Sequence, residues 1–195
     1  MREAIEAKYL SAQLADKEGK IFVAPKELRT TYLLNDGTQI LFRPIHPTDM
    51  ARMREHFYGL SEQSIFYRFM KAVKGVPRKQ IEDFVYIDHR NDVCIIGVLP
   101  ESYGEQIMAI GSYYLDPKTN RAEVAFTVHD KWQRRGIGTF LLKHLIRIAR
   151  RNGISGLTAE VLVENRPMLA VFNKADCTIH SKLVGDVYTF LLEFE

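Results

Sequence analysis

The chain has 195 residues, 46% hydrophobic and 26% charged, as in an ordinary globular protein with one sizeable core. Its 27 basic and 24 acidic side chains nearly balance, so we expect no nucleic-acid partner. No apolar run approaches the roughly 20 residues of a membrane span, and the N-terminal stretch lacks the apolar centre of a signal peptide. We therefore expect no membrane association and a cytoplasmic location.

The N-terminal stretch and the two cysteines carry little functional information. Residues 1–30 form a predicted extension, with a short helix expected between Arg2 and Asp16, and a domain spanning residues 31–195 follows. A homodimer formed through the extension is a further hypothesis. Cys94 and Cys177 lack the spacing of metal ligands, which predicts free thiols and no metal site.

The first half of the domain combines a hairpin with short helices. Asn35-Asp36-Gly37 is a hairpin signal between two stretches rich in β-branched and aromatic residues, Thr30–Leu34 and Thr38–Phe42. Apolar residues then recur at helical spacing. Helices are predicted to begin at three points, Pro47, Ser61 and Pro77.

The second half alternates strands with helices. Tight turns predict an antiparallel meander of three strands, Val93–Leu99, Gln106–Leu115 and Arg121–Val128. After a strongly amphipathic helix, Phe140–Asn152, the pattern predicts a strand, a helix and a strand at Leu157–Val163, Arg166–Ala175 and Val187–Phe194. This order predicts a mixed α/β (α+β) fold, with one sheet of about 6–7 mostly antiparallel, twisted strands and helices on both faces.

The most informative motif joins a strand to the long helix. Residues Gln133 to Gly138 read Q-x-x-G-x-G, directly after the strand that ends at Val128. Two glycines preceded by Arg134 and Arg135 leave bare amides at the positive end of a helix dipole, which favours phosphate binding. The spacing excludes both the dinucleotide-binding and the nucleotide-triphosphate glycine motifs. A helix-start turn on a basic surface is the alternative interpretation.

The element order and five short stretches resemble the GNAT acetyltransferase superfamily over residues 38–195. Within that superfamily, the chain is similar to bacterial Pat-type protein lysine acetyltransferases. The stretches are Phe42–Ile45, Ser64–Phe69, Ala122–Val128, Gln133–Gly138 and Glu164–Met168. The resemblance implies the GNAT fold, in which the sheet is splayed in the middle, and an acetyl-CoA-dependent N-acetyltransferase that needs no metal.

The resemblance also implies where acetyl-CoA binds. The pantetheine arm would lie in the splayed gap against Phe126, Thr127 and Val128. The pyrophosphate would be held by the loop and first helical turn, Gln133, Arg134, Arg135, Gly136, Ile137, Gly138 and Thr139. Asn165 would bind the arm from the far side of the gap, although it also reads as the N-cap of the next helix.

Phe172 departs from the family pattern. Many members carry at this position a tyrosine that protonates the leaving thiolate, and phenylalanine has no proton to give. A thiol with a pKa of about 8.5 leaves as a thiolate with little assistance, so the departure leaves the predicted activity in place. A second departure is Lys174–Cys177, where the family usually has a glycine and an aromatic residue.

Glu123 is the candidate general base. An amine with a pKa of about 10.4 must lose a proton before it attacks, and Glu123 stands among apolar strand residues that would desolvate it and raise its pKa. The resemblance assigns it the same role, directly or through water. The alternatives are a solvated surface glutamate, or His129 as the base.

The sequence alone does not identify the molecule that accepts the acetyl group. A protein lysine, for instance on an acyl-CoA synthetase, is the leading hypothesis, with transfer in a ternary complex. A small amine or a protein N-terminus is the enzymatic alternative, because fold does not decide between acceptors. A non-catalytic acyl-CoA sensor would keep the loop and Asn165 without needing a base.

Overall fold

The computed structural model describes residues 25–73, 75–101 and 104–194, which form one eight-stranded sheet and five α-helices. The strands are β1 (Thr30–Leu33), β2 (Gln39–Pro44), β3 (Val93–Glu101), β4 (Gly104–Asp116), β5 (Arg121–Val128), β6 (Gly156–Leu162), β7 (Thr178–Val184) and β8 (Val187–Glu193). The helices are α1 (Met50–Tyr58), α2 (Glu62–Phe69), α3 (Arg78–Val85), α4 (Ile137–Arg151) and α5 (Arg166–Phe172).

The sheet has the order β1-β2-β3-β4-β5-β6-β8-β7, and β5–β6 is its one parallel pair among the described strands. The predicted mixed fold, mostly antiparallel sheet and meander are confirmed. The strand count of eight exceeds the prediction because β7 was missed. This edge strand is almost entirely exposed, so its residues show none of the apolar alternation that marks a half-buried strand.

The centre of the sheet opens between β5 and β6. The two strands pair over only three positions, which end at Glu123 opposite Thr158. Beyond Glu123, β5 stays paired with β4 as far as Val128, and β6 stays paired with β8 as far as Leu162. The inner edges of both strands are therefore free along the gap, as the splayed sheet of the sequence prediction requires.

Two hydrophobic clusters hold helices against opposite faces of the sheet. The first joins α4 and α5 to one face, with Leu141, Leu145 and Phe172 in its interior. The second joins α1 and α3 to the other face through Met53, Phe84 and their neighbours, and it draws strand residues only from the β2–β4 side. On that second face, the half of the sheet formed by β6, β8 and β7 has no apolar helix packing within the described residues.

A partly buried ion network anchors the start of α1 to the sheet. Arg43 on β2 donates to both carboxylate oxygens of Asp49 at 2.7 and 2.8 Å, and it also pairs with Glu105 on β4. Burial raises the pKa of Asp49, but the hydrogen bonds and charge of Arg43 outweigh it, and the net shift is downward. The first turn of α1 is thereby fixed beside β2.

Several expectations concern the ends and the surface of the chain. Residues 1–24, including the helix expected after Arg2, lie outside the described residues, and the domain boundary at residue 30 stays a prediction. Leu28, just before β1, is buried, and its carbonyl oxygen accepts a hydrogen bond from His144 on α4. Cys94 and Cys177 are both free thiols. In the part of the chain described here, no helix combines the length and apolarity needed to cross a membrane.

The contact between α4 and β4 yields a stability prediction. A Cβ on Gly111 would lie 2.8 Å from Cγ of Leu141 and 2.9 Å from a methyl of Leu145, so the sheet and helix approach this closely only because the side chain is absent. We expect Gly111→Ala to lower the free energy of unfolding by about 1–3 kcal/mol through overpacking. Urea unfolding of both proteins measures it, and an unchanged midpoint would contradict the packing described.

Candidate active site

A cavity of about 520 Å³ lies beside the last residues of β5, beyond the point where β5 leaves β6. Its wall is formed by α2, the end of β5, the loop before α4, the first turn of α4, and α5. All the residues predicted to bind the cofactor line it except Arg135 and Phe172; those that do are Phe126, Thr127, Val128, Gln133, Arg134, Gly136, Ile137, Gly138, Thr139 and Asn165. Residues from the sheet, the loop and α5 thus meet in one place.

The loop turns into α4 through two left-handed residues. Arg134 has φ 61° and Gly136, which precedes the helix, has φ 82°. No side chain caps α4, so the first amides of the helix have no side-chain partner and lie along the cavity. These amides and the positive end of the helix dipole suit a phosphate group.

Gly136 and Gly138 serve different purposes. A Cβ on Gly136 would lie 2.6 Å from the hydroxyl of Tyr32 on β1, and its positive φ also requires glycine. A Cβ on Gly138 would meet only ordinary contacts, at 3.5 Å from Val171 and 3.7 Å from Phe126. The absent side chain at Gly138 leaves the cavity open to a ligand.

The two arginines of the loop point in different directions. Arg134 lines the cavity. Arg135 forms a salt bridge of 2.7 Å with Asp36 in the β1–β2 turn, and its guanidinium lies over the Trp132 ring at 4.9 Å. The structure therefore places Arg135 on the back of the loop, where it supports the turn.

Hydrogen bonds join the loop to α2. Asp130 accepts from the backbone N–H and the hydroxyl of Ser61 at 2.9 and 2.6 Å, and from the hydroxyl of Ser64 at 2.7 Å. The amide of Gln133 donates to the carbonyl oxygen of Val128 at 3.0 Å and to Ser64 at 3.1 Å. Gln133 thus holds the loop closed against β5 and α2.

The open edge of β5 presents backbone groups to the cavity. The N–H of His129 donates to the carbonyl oxygen of Met108 on β4 at 2.8 Å. Backbone groups alternate sides along a strand, so those of Phe126 and Val128 face away from β4 and into the gap. The carbonyl oxygen of Val128 already accepts from Gln133. The backbone groups of Phe126 and the N–H of Val128 therefore remain for a pantetheine arm, which carries two amides.

Asn165 lies in the far wall of the cavity, whereas Phe172 lies in the hydrophobic core. Asn165 is buried, and its Oδ1 accepts from the backbone N–H of Met168 at 3.3 Å, so it caps α5 while also lining the cavity. The capping interpretation is therefore confirmed. The Phe172 ring lies in the core, 5.0 Å from the Phe190 ring and 5.7 Å from the Phe126 ring. Phe172 does not line the cavity itself, but it packs against Phe126, which does.

Glu123 stands at the vertex of the gap, as the last residue of β5 that pairs with β6. Its side chain is exposed, contrary to the expected desolvation, because no helix covers the adjoining half of that face. Arg68, which lines the cavity from α2, is close enough to Glu123 for the two charges to interact. The carboxylate does not line the cavity, so it can accept a proton from water or, through water, from a group in the cavity.

Two histidines lie close to the end of β5, and sequence reasoning assigned a possible role to only one of them. His129, the alternative base, caps the turn after β5 by accepting from the N–H of Lys131 at 3.4 Å. His56 on α1 is buried, with Nδ1 3.0 Å from the carbonyl oxygen of Ile107 and Nε2 3.1 Å from Oγ1 of Thr127. Its partners are 51 and 71 residues away in sequence, so no local pattern could have indicated them.

The described residues contain no group of three or more His, Cys, Asp or Glu side chains arranged to hold a metal ion. The site offers the first backbone amides of α4, Arg68 and Arg134 in the cavity wall, and the Glu123 carboxylate at the vertex of the gap. Such groups suit the binding of a phosphate-bearing thioester and the transfer of a proton.

Residues 60–176 match the sequence model of the acetyltransferase (GNAT) family. The chain belongs to this family. It is therefore a GNAT-type acyltransferase, and family membership supports acetyl-CoA as its cosubstrate. The uncapped start of α4, the opening at Gly138 and the free edge of β5 fit that cosubstrate.

Relatives of the chain include Pat-type proteins. Acetyltransferase Pat of Mycolicibacterium smegmatis is 28% identical over 166 residues, which cover 85% of this chain and 47% of Pat. The chain thus spans about half the length of that relative. The GNAT domain of S. lividans PAT superposes with a TM-score of 0.80 at 27% identity, covering 88% of this chain and all of that domain. The structure of yncA from Salmonella typhimurium, with its cofactor acetyl-CoA, shares the fold at 17% identity and a TM-score of 0.62, over 80% of this chain and 94% of yncA.

The space at Gly138 allows folding and binding to be separated. Gly138→Ala places a methyl group in the cavity without a clash, and alanine is the better helix former. We expect the melting temperature to stay level or rise, while acetyl-CoA affinity measured by calorimetry falls by about tenfold. Unchanged affinity would show that the first turn of α4 does not approach the ligand.

The burial of His56 predicts a pH dependence of stability. Burial lowers the pKa of His56 to about 4, against the hydrogen bond to Ile107, which raises it. In the unfolded chain the group titrates near 6.5. The unfolded state therefore binds more protons between pH 6.5 and 4, and the protein loses about 3 kcal/mol as the pH falls through that window. Chemical denaturation at several pH values should show a shallower loss for His56→Phe than for the unmodified protein, and equal slopes would contradict a neutral His56.

Proposed function

We propose that the protein transfers acetyl from acetyl-CoA to the ε-amine of a protein lysine, by direct attack in a ternary complex with Glu123 as general base. The observation that carries the proposal is the position of Glu123 at the vertex of the gap. From there the gap runs to the uncapped start of α4. A thioester anchored by its phosphates at α4 would reach toward that carboxylate.

The proposed roles divide between the two sides of the gap. The first amides of α4, with Arg134, bind the pyrophosphate. Phe126 and Val128 offer backbone groups to the pantetheine amides. Glu123 takes a proton from the attacking amine, and the start of α4 stabilises the thiolate, whose low basicity removes the need for an acid at Phe172.

The shape of the acceptor side favours a lysine on a protein. Glu123 lies on the face of the sheet that α4 and α5 do not cover, and that face is open over β6 and β8. Glu160 on β6 is exposed on the same face, two residues beyond the partner of Glu123. An open, acidic approach suits a lysine side chain projecting from a folded surface. A small amine would be better served by an enclosed acceptor pocket.

The identity of the substrate rests on the relatives. Similarity to Pat from Mycolicibacterium smegmatis and to the GNAT domain of S. lividans PAT supports a protein acceptor, and an acyl-CoA synthetase is our candidate. A cytoplasmic location and a homodimer remain predictions.

The substrate class can be tested with isotopically labelled acetyl-CoA and a bacterial cell lysate. After proteolysis, mass spectrometry should find label on lysine ε-amines, including a lysine in the active site of an acyl-CoA synthetase. Label confined to protein N-termini or to small metabolites would contradict the proposed acceptor while leaving the acetyltransferase activity in place.

The role of Glu123 yields a separate prediction. Glu123→Gln keeps the shape of the side chain and removes the base, so turnover should fall by about 10²- to 10⁴-fold. Acetyl-CoA affinity should be unchanged, because the carboxylate does not line the cofactor cavity. Glu82→Gln, which removes one half-buried carboxylate on α3 outside the cavity lining, is the control and should keep full turnover. Full turnover by Glu123→Gln would exclude this residue as the base.

A further inference from the structure

Thr127 brings a second polar group to the cavity on the acceptor side of the sheet. It shares a face of β5 with Glu123, because side chains two and four residues apart point the same way along a strand. Thr127 is only 7% exposed and lines the cavity. A buried hydroxyl needs a partner, and the partner in the described structure is Nε2 of His56 at 3.1 Å.

The hydrogen bonds of His56 fix the direction of that contact. Nδ1 lies 3.0 Å from the carbonyl oxygen of Ile107, which can only accept, so Nδ1 carries the hydrogen. In a neutral ring, Nε2 then has a lone pair and no hydrogen. The hydroxyl of Thr127 must therefore donate its only hydrogen to Nε2. Toward a ligand in the cavity, the Thr127 oxygen can then act only as an acceptor.

Acetyl transfer brings two reactants with N–H donors to the site, the cofactor and the amine. In the proposed function, the amine is the one that approaches from the side of Glu123. The cofactor enters from the side of α4 and meets the edge of β5, where Phe126 and Val128 present their backbone groups. The amine carries N–H groups and must face the acyl carbon with its lone pair. A fixed acceptor inside the cavity, such as Thr127, would hold one N–H and so orient the lone pair.

We infer that Thr127, oriented by His56, is the hydrogen-bond acceptor that positions the attacking amine for acyl transfer. The inference rests on the proposed function in requiring an amine acceptor, and its proton path takes Glu123 as the base. Thr127 touches the substrate, whereas His56 acts through Thr127 and is a positioning residue. Neither residue accepts the proton in the reaction, because Glu123 is the base.

The spacing of the two groups also defines how the proton travels. Four residues of extended strand separate Glu123 from Thr127 by about 13 Å between Cα atoms. Their side chains close only part of that distance, so an amine held at Thr127 passes its proton to Glu123 through water. His56 is screened from this path by Thr127, and its ionisable neighbours are His129, at 6.1 Å between ring centroids, and Asp130.

Two substitutions at Thr127 separate the hydroxyl from the shape of the side chain. Thr127→Val keeps the shape and removes the acceptor, so kcat/KM for the amine should fall by about tenfold. Thr127→Ser keeps the hydroxyl and should stay within about twofold of the unmodified protein. The KM for acetyl-CoA should change less than twofold in both, because the cofactor meets the backbone edge of β5, which neither substitution alters. Unchanged kcat/KM for the amine in Thr127→Val would overturn the inference.

A double-mutant cycle tests whether His56 acts through Thr127. His56→Phe frees the hydroxyl to rotate and donate, so kcat/KM should fall in the threonine background and stay level when added to Thr127→Val. The acid limb of the pH–rate profile should keep its midpoint, because Glu123 remains the base. Equal losses in both backgrounds, or a displaced acid limb, would contradict the inference.

The assays use both a lysine-containing peptide and n-butylamine as acceptors. Transfer to n-butylamine alone would count against the proposed lysine substrate, and the Thr127 variants would still report on the inference with that amine. Absence of transfer to either amine by the unmodified protein would contradict both.

Discussion

The separation of β5 from β6 is the constraint on which the site depends. Each strand keeps a full partner on its outer side, β4 for β5 and β8 for β6, so the sheet survives the loss of the central contact. The inner edges are left with backbone groups that need partners. The gap therefore suits a ligand that carries amides, because such a ligand would complete the hydrogen bonding of the sheet.

The walls of the gap are held by contacts between distant parts of the chain. Asp130 and Gln133 join the loop after β5 to α2, and the network around Arg43 fixes the start of α1. α1 in turn carries His56 to the end of β5. Groups on both sides of the cavity thus have fixed positions before any ligand binds, which lowers the reorganisation that catalysis requires.

Periodic and glycine-based features could be predicted from the sequence. The apolar rows of α4, the meander β3–β5 and the loop from Gln133 to Gly138 are each specified by nearby residues, and each appears in the structure. The identity of Glu123 as the residue at the vertex rests on where β6 turns away, which depends on contacts remote in sequence. Its exposure was not foreseen, because apolar neighbours along a strand do not reveal which face a helix covers.

Other features depend on contacts that no local pattern encodes. The direction of Arg135 is set by Asp36, 99 residues away, and the partner of Thr127 lies on a helix 71 residues before it. β7 pairs with β8 at the edge of the sheet, where exposure removes the periodic signal. Phe172 matches a family position by sequence, yet its ring packs into the core beneath Phe126.

The β1–β2 hairpin belongs to the smallest part of the chain that could fold and work alone. The segment matching the family, residues 60–176, contains the loop and the first turn of α4 but lacks Tyr32, Asp36 and His56. Tyr32 fills the space behind Gly136, and Asp36 holds Arg135. β8, the outer partner of β6, also lies beyond that segment. A fragment trimmed to residues 60–176 would lose the contacts behind the loop from Gln133 to Gly138 and the strand that holds one side of the gap. The enzyme fold therefore needs at least the chain from the first hairpin to the last strand.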